Sequence, residues 1–348
     1  NGPVEGVHAP DGHLRNGPHP TPARRGKRGT EGSGGDVAEL AASLRPVAVT
    51  PSPPPLAYGP SRQYRPRKRH PRRPLHLRRP RRRRLRRRRP PARAAAGTPM
   101  TELEAEEKIL AMRRARPGFL SESFKSISAA AGNAAMCHYT ANADRNALIL
   151  PENPYLLDSG GQYETGTTDA TRSFSFGHRP EGYDQAYTAV FKALYALATL
   201  RFPKGTQGHH IDAICRRPLW DLGLDYDHGT GHGIGHRLSV HEHPHRIGKP
   251  FNPVDLKPGQ VLSIEPGYYQ AGQFGIRIEN LFEIVLEDDG FMVFRNLTYA
   301  PIQTDMIIME KLTASEKAWL KSYNQEVAEV LWSKLSKSAR NWLTAQMD

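Results

Sequence analysis

Residues 156–177 read LLDSGGQYETGTTDATRSFSFG, and this stretch decides the fold. Its apolar and β-branched residues predict two strands, within residues 146–157 and 163–176, that pair around Gly160 and Gly161. Asp158 follows the first run directly, and Asp169 lies inside the second. An ionised carboxylate on an apolar strand is costly to bury unless a cation neutralises it. The stretch therefore predicts a sheet whose acidic side chains serve something other than packing.

Two further stretches add polar side chains of the same kind. Residues 224–242 read LDYDHGTGHGIGHRLSVHE and supply His232, and residues 265–280 read EPGYYQAGQFGIRIEN and supply Glu265 and Glu279. Four carboxylates and one imidazole suit a hard or borderline cation, and they argue against a thiolate zinc site. Two such cations about 3.5–4 Å apart can share a hydroxide and polarise a carbonyl group. We therefore expect two divalent ions, with manganese favoured and cobalt or zinc as alternatives.

The three stretches resemble the metal-site blocks of aminopeptidase P, the Xaa-Pro aminopeptidase of the pita-bread metallopeptidases. The resemblance runs from about residue 100 to residue 348 and keeps the blocks in the order of that family. It implies an α+β, pita-bread (creatinase/aminopeptidase) fold for residues 100–348. It also implies hydrolysis of the bond between an N-terminal residue and a following proline, by a hydroxide that two metal ions activate.

The resemblance further implies a role for each site residue. Asp158 is expected to bind one metal, Asp169 and Glu279 to bridge both, and His232 and Glu265 to complete the second site. Glu265 is also the expected general base. The remaining implied roles belong to histidines of the catalytic machinery, His138 and His241, and to residues that bind substrate or order the ligands, His228, Tyr269 and Arg277. Of these, His228 is expected to line the pocket on the proline side.

Five other histidines are interpreted as structural, because a lone histidine is more often a satisfied loop or core residue. They are His209, His210, His236, His243 and His245. The chain reads HEHP where a typical family member reads HEGP, a departure expected to reshape the loop after His241.

Residues 1–99 differ sharply in composition from the rest. They contain 24 Lys and Arg against 5 Asp and Glu, whereas residues 100–348 contain 25 against 30. A segment rich in Pro, Gly, Ala and Arg cannot bury enough apolar surface to fold, so we predict disorder. It is interpreted as a solvated tail or an out-of-frame reading of GC-rich DNA, in preference to an arm that binds nucleic acid.

Helices are predicted at residues 101–114, 187–198, 211–222 and 313–335. The first is rich in Glu and begins with Thr101 and Glu104 at the spacing of a capping box, and the second and fourth have apolar residues at helical spacing. Pro218 is expected to end or bend the third. Further strands are predicted at residues 260–265 and 275–286.

Cellular location and partners follow from weaker signals. The chain has only two cysteines, Cys137 and Cys215, which favours the reducing cytoplasm. It has no long apolar run, so no membrane span is predicted. The expected substrates are peptides with proline in second position. In the resembled family, N-terminal domains help to form the substrate cleft and the dimer. Two oligomeric states are therefore expected as alternatives: a homodimer, and a monomer of reduced stability or activity.

Two alternatives to the aminopeptidase remain. One is a prolidase-type dipeptidase of the same fold, distinguished by whether it cleaves tripeptides. The other is a catalytically weak scaffold with a nucleic-acid-binding arginine-rich arm.

Overall fold

The structure is a computed structural model that describes residues 99–347. The predicted basic segment of residues 1–99 lies outside the described residues, apart from Pro99, and its interpretation stays a prediction. Within residues 99–347 the α-helices are α1 (Glu102–Arg114), α2 (Tyr183–Ala198), α3 (Gly208–Trp220), α4 (Ala314–Leu331) and α5 (Lys337–Ala345). Short 3-10 helices lie at Ala131–Ala135, Met309–Lys311 and Trp332–Lys334.

The strands fall into two groups along the chain. Before α2 they are β1 (Phe119–Glu122), β2 (Ile127–Ala130), β3 (Tyr155–Ser159), β4 (Gly161–Tyr163), β5 (Gly166–Thr167) and β6 (Ala170–Phe174). After α2 they are β7 (Arg201–Pro203), β8 (Gly231–Gly233), β9 (Glu242–Ile247), β10 (Val261–Ile264), β11 (Gly267–Gln270), β12 (Phe274–Arg277), β13 (Asn280–Leu286) and β14 (Phe291–Asn296).

All strand pairs in the described part of the chain are antiparallel. The largest sheet has the order β7-β14-β13-β10-β8-β9, and two three-stranded sheets have the orders β2-β3-β6 and β1-β4-β5. Strands β11 and β12 form a two-stranded ribbon. This mixture of helices and antiparallel sheets agrees with the predicted α+β class.

Helix α2 lies at the centre of the main hydrophobic core. Val190, Phe191, Leu194 and Leu197 are fully buried, and they belong to one cluster with residues of α3, α4 and the largest sheet. A helix that is apolar on most of its surface is stable only when other elements cover it. The core thus forms a rigid support for strands β10, β12 and β13, which flank the polar cavity described below.

Helix α1 confirms the predicted capping box. The Glu104 amide donates to Thr101 Oγ1 at 3.2 Å, and the Thr101 amide donates to Glu104 Oε2 at 2.9 Å. In the first turn, the buried carboxylate of Glu102 accepts hydrogen bonds from the Ala130 amide at 2.7 Å and the Tyr139 hydroxyl at 2.7 Å. Glu102 therefore ties α1 to the segment that carries the neighbouring His138.

The structure corrects the predicted turn at Gly160 and Gly161. Strands β3 and β6 do pair, but Gly161 begins β4, and the β4-β5 hairpin makes the connection. The first strand begins only at Tyr155, because Pro151 and Pro154 before it lack the N–H that a ladder needs.

Three other predicted boundaries also shift. Helix α3 continues two residues past Pro218, to Trp220. The predicted strand 275–286 is broken at Ile278 and Glu279, because β12 pairs with β11 whereas β13 pairs with β10. The predicted helix 313–335 ends at Leu331 and is followed by a 3-10 turn.

No helix in the described range is both long and apolar enough to cross a membrane.

Candidate metal centre

The five predicted ligands come from strand ends and strand junctions. Asp158 pairs in register with Thr171 across β3 and β6, and Asp169 immediately precedes β6. Glu265 follows β10, and Glu279 lies in the break between β12 and β13. His232 is the middle residue of β8, which pairs with β10. The antiparallel pairings therefore bring residues that are up to 121 positions apart in sequence to one place.

Three of these side chains form a compact group of ligand atoms. Asp169, His232 and Glu279 each offer one atom, and these atoms lie within 4.8 Å of one another. His232 Nε2 is 3.5 Å from Asp169 Oδ2 and 3.3 Å from Glu265 Oε1. A nitrogen surrounded by carboxylate oxygens at these distances is a donor set that suits a divalent cation.

The carboxylates of the group repel one another in a buried environment. Burial, followed by the charge of Glu265, raises the pKa of Glu279 to about 8. Burial also raises the pKa of Glu265 to about 7, against the opposing effect of Arg277. The pKa of Asp169 is raised well above its usual value by burial and by the neighbouring Glu279. These side chains ionise together at neutral pH only if a positive charge joins them.

Asp158 provides an independent test of whether cations fit. Its Oδ2 accepts a hydrogen bond from Arg277 at 2.6 Å, whereas its Oδ1 is buried and has no hydrogen-bond partner among residues 99–347. A buried carboxylate oxygen without a partner carries a desolvation cost of about 1–3 kcal/mol or more. A metal ion would satisfy this atom, so the residues present fit the predicted group.

Arg277 connects the ligands to one another. Besides Asp158, its guanidinium donates to the Tyr269 hydroxyl at 2.7 Å and to Thr171 Oγ1 at 3.0 Å. Thr171 in turn donates to Glu279 Oε2 at 2.7 Å. One buried arginine thereby orients two carboxylates, Asp158 directly and Glu279 through Thr171. Residues that hydrogen-bond to metal ligands commonly fix the orientation of those ligands in this way.

The predicted site residues surround one cavity of about 540 Å³. Its lining includes Asp158, Asp169, His138, His228, His232, His241, Glu265, Arg277 and Glu279. Tyr269 lies behind the lining residues, and its hydroxyl contacts His228 Nε2 at 2.8 Å. The structure therefore brings all ten predicted residues to one region, while their individual roles stay predictions.

The histidines of the cavity differ in environment. His228 is largely buried, and burial followed by the charge of Arg277 lowers its pKa to about 3, so the ring is neutral. The exposed His241 ring packs edge-on against His232 with 4.3 Å between centroids. Its pKa is lowered by burial of part of the ring and by His232.

The histidines interpreted as structural divide into two sets. His243 and His245 also line the cavity, and His245 Nε2 lies 3.0 Å from the Val261 carbonyl oxygen. His209 instead packs against its neighbour His210 on α3 and against Phe251 in the loop between β9 and β10. His236 belongs to neither set, because it is exposed and does not line the cavity.

Sequence reasoning missed a buried arginine next to the cavity. Arg216 on α3 is 1% exposed and pairs with Asp212 at 2.7 Å. It also donates to the carbonyl oxygens of Tyr226 at 2.6 Å and His228 at 2.9 Å. Asp212 Oδ1 accepts from Thr230 at 2.5 Å, so this pair holds the loop of His228 at both ends. The available signal was an arginine among apolar residues at helical spacing.

Three more contributors lie on the strands themselves. Thr171 and Ser263 donate to Glu279 and Glu265, and Arg172 holds the Glu279 carbonyl oxygen at 2.6 Å. Arg172 stands in the middle of a strand that is buried at every position, and such a residue signals a polar network.

Comparison with known proteins places the chain in a family. The profile of Metallopeptidase family M24 matches residues 84–285, and that of the C-terminal region of peptidase M24 matches residues 290–348. The chain is 40% identical to Aminopeptidase P1 of Arabidopsis thaliana over 255 residues, which cover 70% of the chain and 39% of that protein. It is 46% identical to a probable Xaa-Pro aminopeptidase P of Metarhizium robertsii over 235 residues, or 65% of the chain and 38% of that protein.

Solved structures agree with the fold. The X-prolyl aminopeptidase of Caenorhabditis elegans, described as a cytosolic enzyme with a di-nuclear active site, superposes with a TM-score of 0.68 at 37% identity. The match covers 73% of this chain and 43% of that one. A dipeptidase from Pyrococcus horikoshii matches with a TM-score of 0.51 at 30% identity, over 58% of this chain and 53% of that one.

These matches confirm the resemblance to aminopeptidase P and the pita-bread fold. The chain spans about two fifths of the length of the curated relatives it matches. The two family profiles match consecutive parts of the chain, and the residues of the acidic cavity lie within the first match. The chain therefore belongs to metallopeptidase family M24.

Proposed function

We propose that this chain is a metal-dependent aminopeptidase that removes an N-terminal residue preceding proline. The observation that carries the proposal is the convergence of Asp169, His232 and Glu279 within 4.8 Å, beside the unpartnered oxygen of Asp158. The substrate class rests on the relatives named Aminopeptidase P1 and Xaa-Pro aminopeptidase P.

Two divalent ions would be held as the resemblance implies, by Asp158, Asp169, His232, Glu265 and Glu279. Bound there, they would lower the pKa of a water molecule toward neutrality and polarise the substrate carbonyl group. The oxygen-rich donor set favours manganese, with cobalt or zinc as alternatives.

Glu265 is suited to receive a proton during the reaction. Its Oε1 accepts a hydrogen bond from Ser263 at 3.3 Å and lies 3.3 Å from His232 Nε2. A carboxylate placed at the predicted metal centre is in reach of a water molecule bound there and can accept its proton. The second oxygen of Glu265 lies 4.0 Å from His228 Nδ1, so the two side chains are neighbours in the cavity.

Histidines would bind the substrate around this base. The His228 ring is held between the Gly229 carbonyl oxygen at 2.8 Å and the Tyr269 hydroxyl at 2.8 Å, so its orientation is fixed. His241 and His138 line the cavity from exposed positions, where an imidazole N–H can donate a hydrogen bond to an oxyanion. These two histidines are the proposed stabilisers of the tetrahedral intermediate.

We also propose a reducing compartment as the place of action. Cys137 and Cys215 are free, and the Caenorhabditis elegans relative is described as cytosolic. A homodimer is also part of the proposal, and it rests on the resemblance to aminopeptidase P.

The proposal is tested by release of the first residue from an X-Pro-Ala tripeptide and from its X-Ala-Ala analogue, with and without added manganese. Manganese-dependent cleavage of the proline substrate alone is the expected result. Equal cleavage of both substrates would contradict the proline specificity, and activity unaffected by chelation would contradict the metal mechanism.

A dipeptidase of the same fold is the second candidate, because similar solved structures include dipeptidases and prolidases at 26–30% identity. Cleavage of an X-Pro dipeptide with no cleavage of the tripeptide would favour it.

A further inference from the structure

The basic side chains on the cavity wall differ in whether a partner neutralises them. Lys249 donates to Asp225 at 2.5 Å, and Lys125 lies 3.6 Å from Glu106. Arg216 and Arg277 are paired with buried aspartates. Arg246 lines the same cavity and is exposed, yet its guanidinium has no ion pair or hydrogen bond with any residue in the range 99–347.

The strand register directs Arg246 toward the centre of the site. Arg246 on β9 is the direct partner of His232 on β8 in an antiparallel pair, just before the register shifts between His232 and Gly233. Residues directly opposite in such a pair share one face, with Cβ atoms about 5 Å apart. The neighbours His245 and Ile247 also line the cavity but are buried, whereas Arg246 is exposed to it. A positive charge is therefore held beside a predicted metal ligand without contacting the acidic ligands.

The position of Arg246 along the cavity identifies the part of the substrate it faces. The next residue, Ile247, has its carbonyl oxygen 3.4 Å from the Cβ position of Gly229, and a Cβ on Gly248 would meet Gly229 at 3.7 Å. This end of β9 thus packs on the turn that follows His228. His228 is the residue expected on the proline side, so Arg246 lies on the side of the leaving peptide.

Anionic side chains do not neutralise Arg246 from that turn. Asp227 precedes His228 and also lines the cavity, but it forms no ion pair with Arg246 within the described residues. A free guanidinium on the wall of a peptide-binding cavity matches a carboxylate, with which it forms charge-assisted hydrogen bonds.

We propose that Arg246 is a specificity residue that selects leaving peptides carrying a carboxylate just beyond proline. The inference rests on the proposed aminopeptidase function. The carboxylate is either the C-terminus of a tripeptide or an acidic side chain on its third residue. Because a chain advances about 3.3–3.6 Å per residue, a tripeptide places its terminal carboxylate about 7 Å from the cleaved bond, within the span of an arginine side chain.

Three substrates separate the sources of the carboxylate: X-Pro-Ala as the free acid, X-Pro-Ala amide and X-Pro-Glu amide. The full chain should cleave the free acid with a kcat/KM about three- to tenfold above that of the alanine amide, mainly through KM. Arg246→Gln should abolish this preference and leave cleavage of the alanine amide unchanged. Arg246→Lys should retain part of it, and Arg217→Gln, at an exposed position on α3, should retain all of it.

The glutamate amide identifies the preferred source. Rapid cleavage of X-Pro-Glu amide that is lost in Arg246→Gln would show that a side-chain carboxylate suffices. Slow cleavage of this substrate by both proteins would restrict the site to the C-terminus. Equal kcat/KM for all three substrates in the unchanged chain would overturn the inference, as would an equal loss on all three in Arg246→Gln.

A binding measurement keeps this test separate from the proposed function. Calorimetry with the dipeptides Pro-Ala and Pro-Ala amide, on the manganese-loaded chain, should show tighter binding of the free acid that Arg246→Gln removes. If no substrate is cleaved but this difference is found, the aminopeptidase proposal fails and the carboxylate site stands. Equal binding of the two dipeptides overturns the carboxylate site whether or not cleavage occurs.

Discussion

The two sides of the cavity are built in different ways. The carboxylate wall, which we define as Asp158, Asp169, Glu265 and Glu279, lies at strand ends in the core, and Asp158, Asp169 and Glu279 are 7, 4 and 1% exposed. The histidine rim, defined as His138, His241 and His243, is exposed. Donors from Thr171, Ser263 and Arg277 fix the wall.

The difference teaches how such a site divides its work. Charged groups that must hold cations need rigid supports and satisfied outer partners, and strands packed on α2 supply both. Groups that meet a variable substrate tolerate loops and exposure. Changes in the wall should therefore affect metal binding and chemistry, whereas changes in the rim should affect substrate binding or very little.

The largest expected effect is that of Asp169→Asn in the wall. It keeps the shape of the side chain and removes the charge between the two predicted metals, so kcat/KM should fall about a thousandfold or more. Steady-state kinetics on X-Pro-Ala measure the loss, and circular dichroism verifies the fold. The matched control, Asp221→Asn at the exposed end of α3, should leave kcat/KM unchanged. A fully active Asp169→Asn would contradict the assignment.

Arg277→Lys should have the next largest effect. The three guanidinium nitrogens of Arg277 each donate to a different partner, Thr171, Tyr269 or Asp158. The donors of a lysine all lie on one nitrogen and cannot span these positions, so manganese affinity should fall about 10- to 100-fold. Titration calorimetry of the metal-free protein measures this. Arg295→Lys, which alters an exposed pair with Glu283, is the control and should not change the affinity. Equal affinities in all three proteins would show that Arg277 does not organise the wall.

The pH dependence of the metal-free protein should reveal the repulsion within the wall. Asp169, Glu265 and Glu279 have raised pKa values, so between about pH 6.5 and 8 the folded state binds more protons than the unfolded state. The window begins at pH 6.5 because the lowered pKa values of His228, His241 and His245 act in the opposite direction below it. Stability should therefore fall as pH rises through this window, with a Tm decrease of about 5 °C or more. Saturating manganese should remove the decrease. A Tm that rises with pH in the metal-free chain would be inconsistent with a buried, unneutralised wall.

The smallest effect is expected beside the rim. Leu238 is 64% exposed on the loop before His241, and Leu238→Ser should change the free energy of unfolding by less than about 0.5 kcal/mol. Ile278→Ala, at a fully buried position next to Glu279, should cost about 2–5 kcal/mol. Urea denaturation of both variants measures the contrast. Similar losses in the two would mean that the rim is as tightly packed as the wall.

Much of the wall could be predicted because its residues stand in distinctive strings. The ligands flank apolar runs whose alternation indicates strands, and the strings around Asp158, His232 and Glu279 resemble one family. Helix α1 was predicted from the capping box of Thr101 and Glu104, which the structure has, and α4 was predicted from apolar residues at helical spacing.

The supporting residues could not be predicted, since their contacts join distant parts of the chain. Thr171 reaches Glu279 across 108 positions, and neither residue type nor spacing reveals that pair. The break at Glu279 depends on β12 and β13 joining different sheets, which a continuous apolar run conceals. Helix α5 was missed although Ser336, an N-cap residue that accepts from the Ala339 amide, marks its start.

The measurement that tests the central claim most directly is the number of manganese ions bound per chain, determined by elemental analysis after dialysis. The account predicts two ions for the unchanged protein and one for Asp158→Asn, because Asp158 is expected to bind only one of the pair. Fewer than one ion in the unchanged, folded protein, or two ions retained in Asp158→Asn, would contradict it.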